Sequence, residues 1–161
     1  MTERVSCFDL DGTLTHHGHD LFFHTMKSVL SEPQFCQISD IFRAGGNNFQ
    51  TATHVVTMCH DFLNATQINW ESQLFEKGYS LMGSLIDAGL YHEKAFDLIK
   101  LLHAKPFNHV IISTANVKPI VLGAQQSMVD RCLLPIDVPL LYSELGVSGV
   151  GAINAGLGKG E

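Results

Sequence analysis

A short apolar run near the start of this chain carries one acid inside it and a second directly behind it: Phe8-Asp9-Leu10-Asp11-Gly12-Thr13-Leu14-Thr15. Arg4 to Leu10 reads as a first strand that breaks at Asp11-Gly12. Asp-Gly between alternating apolar residues is also a hairpin signal. A hairpin accounts for Asp11-Gly12 but not for Asp9, because Asp is disfavoured within a strand. Two carboxylates at the carboxyl tip of a parallel strand have a better explanation. In open α/β sheets that tip is where ligands bind.

The rest of the chain supports a parallel sheet. Phe22, Met26, Val29 and Leu30 recur at three- and four-residue steps. So do Ala52, Val55, Val56, Cys59, Phe62 and Leu63, and then Trp70, Leu74, Phe75, Leu81, Met82, Leu85 and Ile86. That is the period of amphipathic helices, and these stripes are read as core. Gly45-Gly46-Asn47-Asn48 breaks two helical stretches. Tyr91 to His103 reads as a further helix with Tyr91, Ala95, Leu98, Ile99 and Leu102 inward, stopped at Lys105-Pro106. His109 to Ile112 is a β-branched run of the kind buried in parallel sheets. Asn116 is placed to cap a helix from Val117 to about Val129, with Pro119 in its first turn. Val138 to Tyr142 reads as a third strand, and the tail from Gly146 to Gly160 is glycine-rich, with a small hairpin expected around Ser148-Gly149. Strands alternating with helices imply an α/β fold with a Rossmann-like parallel sheet. The helical residues between strands one and two exceed one crossover, which implies an inserted helical cap. The expected division is a core of residues 1–15 plus 91–161 and a cap of 16–90.

Composition narrows the class. At 161 residues the chain is one domain's length. It is 45% hydrophobic and 16% charged, which excludes a disordered chain. No apolar run approaches the ~20 residues of a membrane span, and no secretion signal precedes Asp9. A net charge of −6 without a Lys/Arg cluster argues against nucleic acid as a partner. Cys7, Cys36, Cys59 and Cys132 are scattered among apolar neighbours, so all four are read as reduced core thiols in a cytoplasmic protein.

The octapeptide around Asp9 closely resembles the first motif of the haloacid dehalogenase superfamily, Asp-x-Asp-Gly-Thr-(Leu/Val)-Thr. That resemblance implies Asp9 as the nucleophile that forms an aspartyl-phosphate and Asp11 as the acid–base. The chemistry is sound in its own right. Carboxylates act as covalent catalysts, and paired carboxylates in unlike environments divide such roles. The resemblance also implies Mg²⁺ held by Asp9 and Asp11, since Mg²⁺ uses one or two carboxylates plus substrate phosphate. The family's second motif is a Ser or Thr at a strand tip, and Ser113-Thr114-Ala115-Asn116 fits it. Ser113 and Thr114 both qualify as phosphate donors, with Thr114 preferred because a Pro follows five residues on. Asn116 and the helix start beyond it would serve the same anion. Lys159 resembles the basic third motif of phosphoserine-phosphatase-like members, with Lys118 as the alternative.

The activity implied is metal-dependent hydrolysis of a small phosphomonoester, with the cap selecting the substrate. Arg43, His17, His19 and Asn47 are cap residues available to contact it. His16-His17-Gly18-His19 reads as a polar hinge or a substrate-side loop rather than a metal site. The family's fourth motif, an acidic pair, has no counterpart before Glu161. The expectation is therefore a chain truncated before that motif, with weak Mg²⁺ binding, little turnover and self-association through an exposed first strand. The alternative is a non-catalytic phosphate-binding or interaction module on the same fold.

Overall fold

The structure, a computed structural model, describes residues 2–16, 20–46, 48–66 and 69–143. Its elements run β1 (Arg4–Asp9), α1 (Leu21–Val29), α2 (Glu32–Gly45), α3 (Phe49–Thr66), α4 (Trp70–Asp87), α5 (Glu93–His103), β2 (Asn108–Val117), α6 (Lys118–Asp130) and β3 (Leu140–Ser143). The protein is α/β, with a three-stranded parallel sheet in the order β1-β2-β3. β1 pairs with β2 from Arg4↔Asn108 to Asp9↔Ser113. That parallel pairing excludes a hairpin at Asp11-Gly12. The family-like tail lies outside the described residues, Lys159 and Gly146 to Gly160 included.

One side of β1 and β2 carries the core. Val110, Ile112 and Leu10 are buried there. The opposite side is open among the described residues, with Val5 64% exposed and Cys7 and His109 also exposed. Parallel sheets are ordinarily covered on both faces, so the expectation that β2 is buried throughout holds for one face only.

The helices start and stop for local reasons. The Asp20 side chain accepts from the Phe23 N–H at 3.1 Å and caps α1. At Ser31, the backbone N–H donates to Gln34 Oε1 at 3.1 Å, and Pro33 fits the first turn of α2. Gly46 adopts φ 71°, a left-handed conformation suited to glycine, and ends α2. Asn48 Oδ1 then accepts from the Thr51 N–H at 2.9 Å to start α3. Between helices α4 and α6 the approach is very close, since a methyl group on Gly123 would overlap the Phe75 carbonyl oxygen and one on Gly78 that of Ile120. The chain enters and leaves the helical segment at adjacent points: Thr15 and Tyr91 form an antiparallel bridge, and the His92 N–H donates to the Leu14 carbonyl at 2.9 Å.

Four expectations change. Helix α5 starts at Glu93, buries Phe96 and Ile99, and turns Leu98 outward at 45% exposure. β2 continues to Val117 with an irregular register after Ser113, because the backbone stays extended beyond the apolar run. Asn116 consequently lies in the strand rather than at the helix cap, which is Val117. Only Cys59 is a core thiol; Cys7, Cys36 and Cys132 are exposed, and all four are free. No helix among the described residues is long and apolar enough to cross a membrane.

Candidate active site

Asp9 ends β1, and the turn that follows fixes Asp11 beside it. The N–H groups of Leu14 and Thr15 both donate to the Leu10 carbonyl, at 3.0 and 3.2 Å. The Thr15 hydroxyl accepts from the Gly12 N–H at 3.3 Å. Gly12 sits at φ 77°, where an L side chain would be strained. Leu10 and Leu14 are fully buried and anchor the turn at both ends. The octapeptide therefore forms a tight loop between two apolar anchors, with its acids at the carboxyl end of the sheet.

The second strand brings its own polar tip to the same place. Ser113 is the register partner of Asp9. The Thr114 hydroxyl donates to Asp11 Oδ2 at 3.4 Å and accepts from the Asn116 N–H at 3.1 Å. Asn116 Oδ1 accepts from the Val117 N–H at 2.9 Å, which leaves the amide's donor end over. Asp9, Asp11, Asp20 and Asn116 line one cleft of about 280 Å³, walled by Phe22, Phe23, Phe42, Ala52, Val55 and Val56. Three polar atoms at these strand tips are buried with no hydrogen-bond partner among the described residues: Asp11 Oδ1, Ser113 Oγ and Asn116 Nδ2. A buried polar atom left unpaired costs on the order of 1–3 kcal/mol. Such a cluster is costly unless something else binds there.

Burial pushes the Asp11 carboxyl up to about 6, and the negative charges of Asp20 and Asp9 push in the same direction. The Leu21 N–H and the Thr114 hydroxyl oppose this by stabilising the ionised form. A carboxyl titrating there is matched to proton transfer near neutral pH.

Asp20 and the aromatic wall were not legible as site residues. Asp20 before Leu21-Phe22-Phe23 is a helix-start signal, but its approach to Asp11 depends on where α1 packs. Arg43 is not a lining residue; it is exposed and lies 3.6 Å from Asp40. Lys118 is exposed, with its ammonium 5.6 Å from the centre of the Tyr142 ring. His17, His19, Asn47 and Lys159 lie outside the described residues. Among those described, no group of three or more His, Cys, Asp and Glu is placed to hold a metal ion. Two carboxylates, one with an unpaired buried oxygen, nevertheless suit a hard cation that completes its shell with water and substrate.

Fold and site together define an α/β protein with paired carboxylates and a hydroxyl-bearing second strand at the carboxyl end of a parallel sheet. No family model, no curated protein and no solved structure matches the chain.

Proposed function

We propose that this protein is a metal-dependent phosphohydrolase acting on a small phosphomonoester, with the architecture of the haloacid dehalogenase superfamily. On this reading the sheet is a Rossmann-like core of residues 1–15 plus 91–161, and residues 16–90 are a helical cap. The bridge between Thr15 and Tyr91 supports that division, since it ties the two ends of the insertion together. The observation that carries the functional reading is the meeting of Asp9 and Asp11 with the Asn116 amide in one cleft, with Ser113 beside Asp9 as its register partner.

Asp9 Oδ attacks phosphorus, and the bond from phosphorus to the ester oxygen breaks. Asp11, protonated at the start, gives its proton to the departing oxygen. The ionised Asp11 then takes a proton from water as that water attacks the aspartyl-phosphate, freeing inorganic phosphate and regenerating Asp9. Ser113 and the Asn116 amide donate to phosphate oxygens. Thr114 positions Asp11 instead, because its hydroxyl is already engaged there. Asp9 and Asp11 would hold Mg²⁺, whose charge offsets that of carboxylates and phosphate.

The test is phosphate release by the full chain with Mg²⁺ from a panel of phosphomonoesters, alongside Asp9→Asn. Release that Asp9→Asn lowers by about a thousandfold or more supports the reading, on the scale of other nucleophile losses. Beryllium fluoride with Mg²⁺ should form its adduct on Asp9. No release, or full activity in Asp9→Asn, overturns it. Phosphate binding without metal or turnover would favour a binding module instead.

A further inference from the structure

The described lining of the cleft is of two kinds. Three carboxylates and the Asn116 amide are its polar groups, and the other six side chains, Phe22, Phe23, Phe42, Ala52, Val55 and Val56, are hydrocarbon. Phe23 lies at the centre of that wall. Its ring centre is 4.9 Å from that of Phe42 and 5.4 Å from that of Phe22, both close to edge-on. Val55 and Val56, which also line the cleft, are buried. No Lys or Arg lines the cleft among the described residues.

This wall constrains whatever is attached to the phosphate. A sugar or amino-acid group seated against the six apolar side chains would give up its hydrogen bonds to water and find no donor or acceptor on them in return, which is unfavourable. A second anionic group would meet Asp20 as well as the catalytic pair, with no Lys or Arg among the described lining residues to compensate. An aromatic ring loses nothing by leaving water and meets ring edges at favourable separations. The volume, about 280 Å³, falls just under the ~300–1,000 Å³ typical of drug-sized ligand sites, so there is room for little more than phosphate and one ring.

We infer that this site selects phosphomonoesters whose organic group is a single uncharged aromatic ring, seated against Phe22, Phe23, Phe42 and Val55. The inference rests on the phosphohydrolase reading for its phosphate end but takes its selectivity from the wall alone. Binding and turnover therefore test the two separately. Calorimetry on the full chain with Mg²⁺ compares phenylphosphonate with methylphosphonate, neither of which is hydrolysed. Hydrolysis is then compared for phenyl phosphate and O-phosphoserine. Phenylphosphonate should bind about 10- to 100-fold tighter, as expected for burial of one ring. Ala52→Phe, which adds a ring to the wall, should abolish that preference. If Ala52→Phe does not fold, the comparison in the native chain decides.

Tighter phenylphosphonate binding together with faster phenyl phosphate hydrolysis supports both readings. Ring-selective binding without any turnover supports the wall and overturns the phosphohydrolase. Turnover that favours O-phosphoserine overturns the ring preference and leaves the phosphohydrolase standing. Equal affinity for the two phosphonates overturns the inference.

Discussion

The Thr114 hydroxyl and the Asp11 carboxylate, 103 residues apart in sequence, meet at 3.4 Å across the tips of two adjacent parallel strands. That contact divides the labour of two neighbouring hydroxyls. Thr114 is spent on orienting Asp11, while Ser113, one residue earlier and beside Asp9, has no hydrogen-bond partner among the described residues. Side chains at successive strand positions point to opposite faces, so the two residues cannot do the same work.

Ser113→Ala and Thr114→Val should therefore fail in different ways. Losing the Thr114 donor removes a hydrogen bond that favours ionised Asp11, so the Asp11 carboxyl should titrate at higher pH. Ser113→Ala should leave that titration in place and weaken inhibition by inorganic phosphate about tenfold, as expected for one hydrogen bond to a charged group. Carboxyl carbon shifts followed through a pH titration, with phosphate inhibition measured on each variant, separate the two. An Asp11 titration unmoved by Thr114→Val would break the assignment.

Asp11→Asn should stabilise the fold at alkaline pH. The folded protein holds its Asp11 proton up to about pH 6, whereas the unfolded chain releases it near the ordinary 3.8. Between those values the folded state binds more protons, so its stability falls as pH rises through the window and stays low above it. The loss is on the order of 2 kcal/mol, less than the full shift because Asp11 is partly exposed. Asparagine carries no charge to desolvate and escapes the penalty. At pH 8 its Tm should be about 4–8 °C above the native value, with the difference closing toward pH 4. A lower Tm at pH 8 would show that the carboxylate is structurally required.

How far the sequence led follows from what kind of information each feature carries. Asp9 and Asp11 stand out in the sequence because an acid in an apolar strand conflicts with local preference, and the structure brings both to one cleft. The order of helices and strands was legible from periodicity. What was not legible depends on packing between distant segments. Phe96 rather than Leu98 faces the core because of where α5 lies on the sheet. Asp20 reaches Asp11 because of where α1 lies. The exposed Cys7 shows that apolar neighbours in sequence do not ensure burial when one sheet face is open. Ser113 and Thr114 look alike in sequence, and only register and hydrogen bonding separate them, Ser113 beside Asp9 and Thr114 on Asp11.

Gly123→Ala should destabilise the protein although alanine is the better helix former. The added methyl group would run into the Phe75 carbonyl of α4, a backbone atom that moves only if the helix does. Overpacking of this kind costs about 1–3 kcal/mol, and improved helix propensity returns at most about 1. Gly78→Ala meets the Ile120 carbonyl across the same crossing and should behave alike. The double variant should cost less than the sum, because once the helices part both methyl groups fit. Urea midpoints for the two single variants and the double variant provide the measurement. A stabilised Gly123→Ala would mean that α4 and α6 do not approach as described.

The four cysteines give a final test that joins the fold to the cleft. Thiolate is the reactive form of cysteine, and burial pushes the Cys59 thiol up to about 12. Cys59 is completely buried on α3, one helical turn from the cleft-lining Val55. Cys7, Cys36 and Cys132 are exposed. A disulfide reagent such as Ellman's should therefore modify three thiols of the native protein quickly. The fourth should react only in denaturant or at the rate at which α3 opens. Because α3 forms part of the cleft wall, a ligand seated there holds it closed. Phenylphosphonate with Mg²⁺ should slow labelling of Cys59 and leave the other three unchanged. Cys59→Ser, which should show only the three fast thiols, confirms which residue the slow phase reports. Four fast thiols in the native chain would contradict the packing of α3, and a slow phase indifferent to the ligand would contradict its place in the wall.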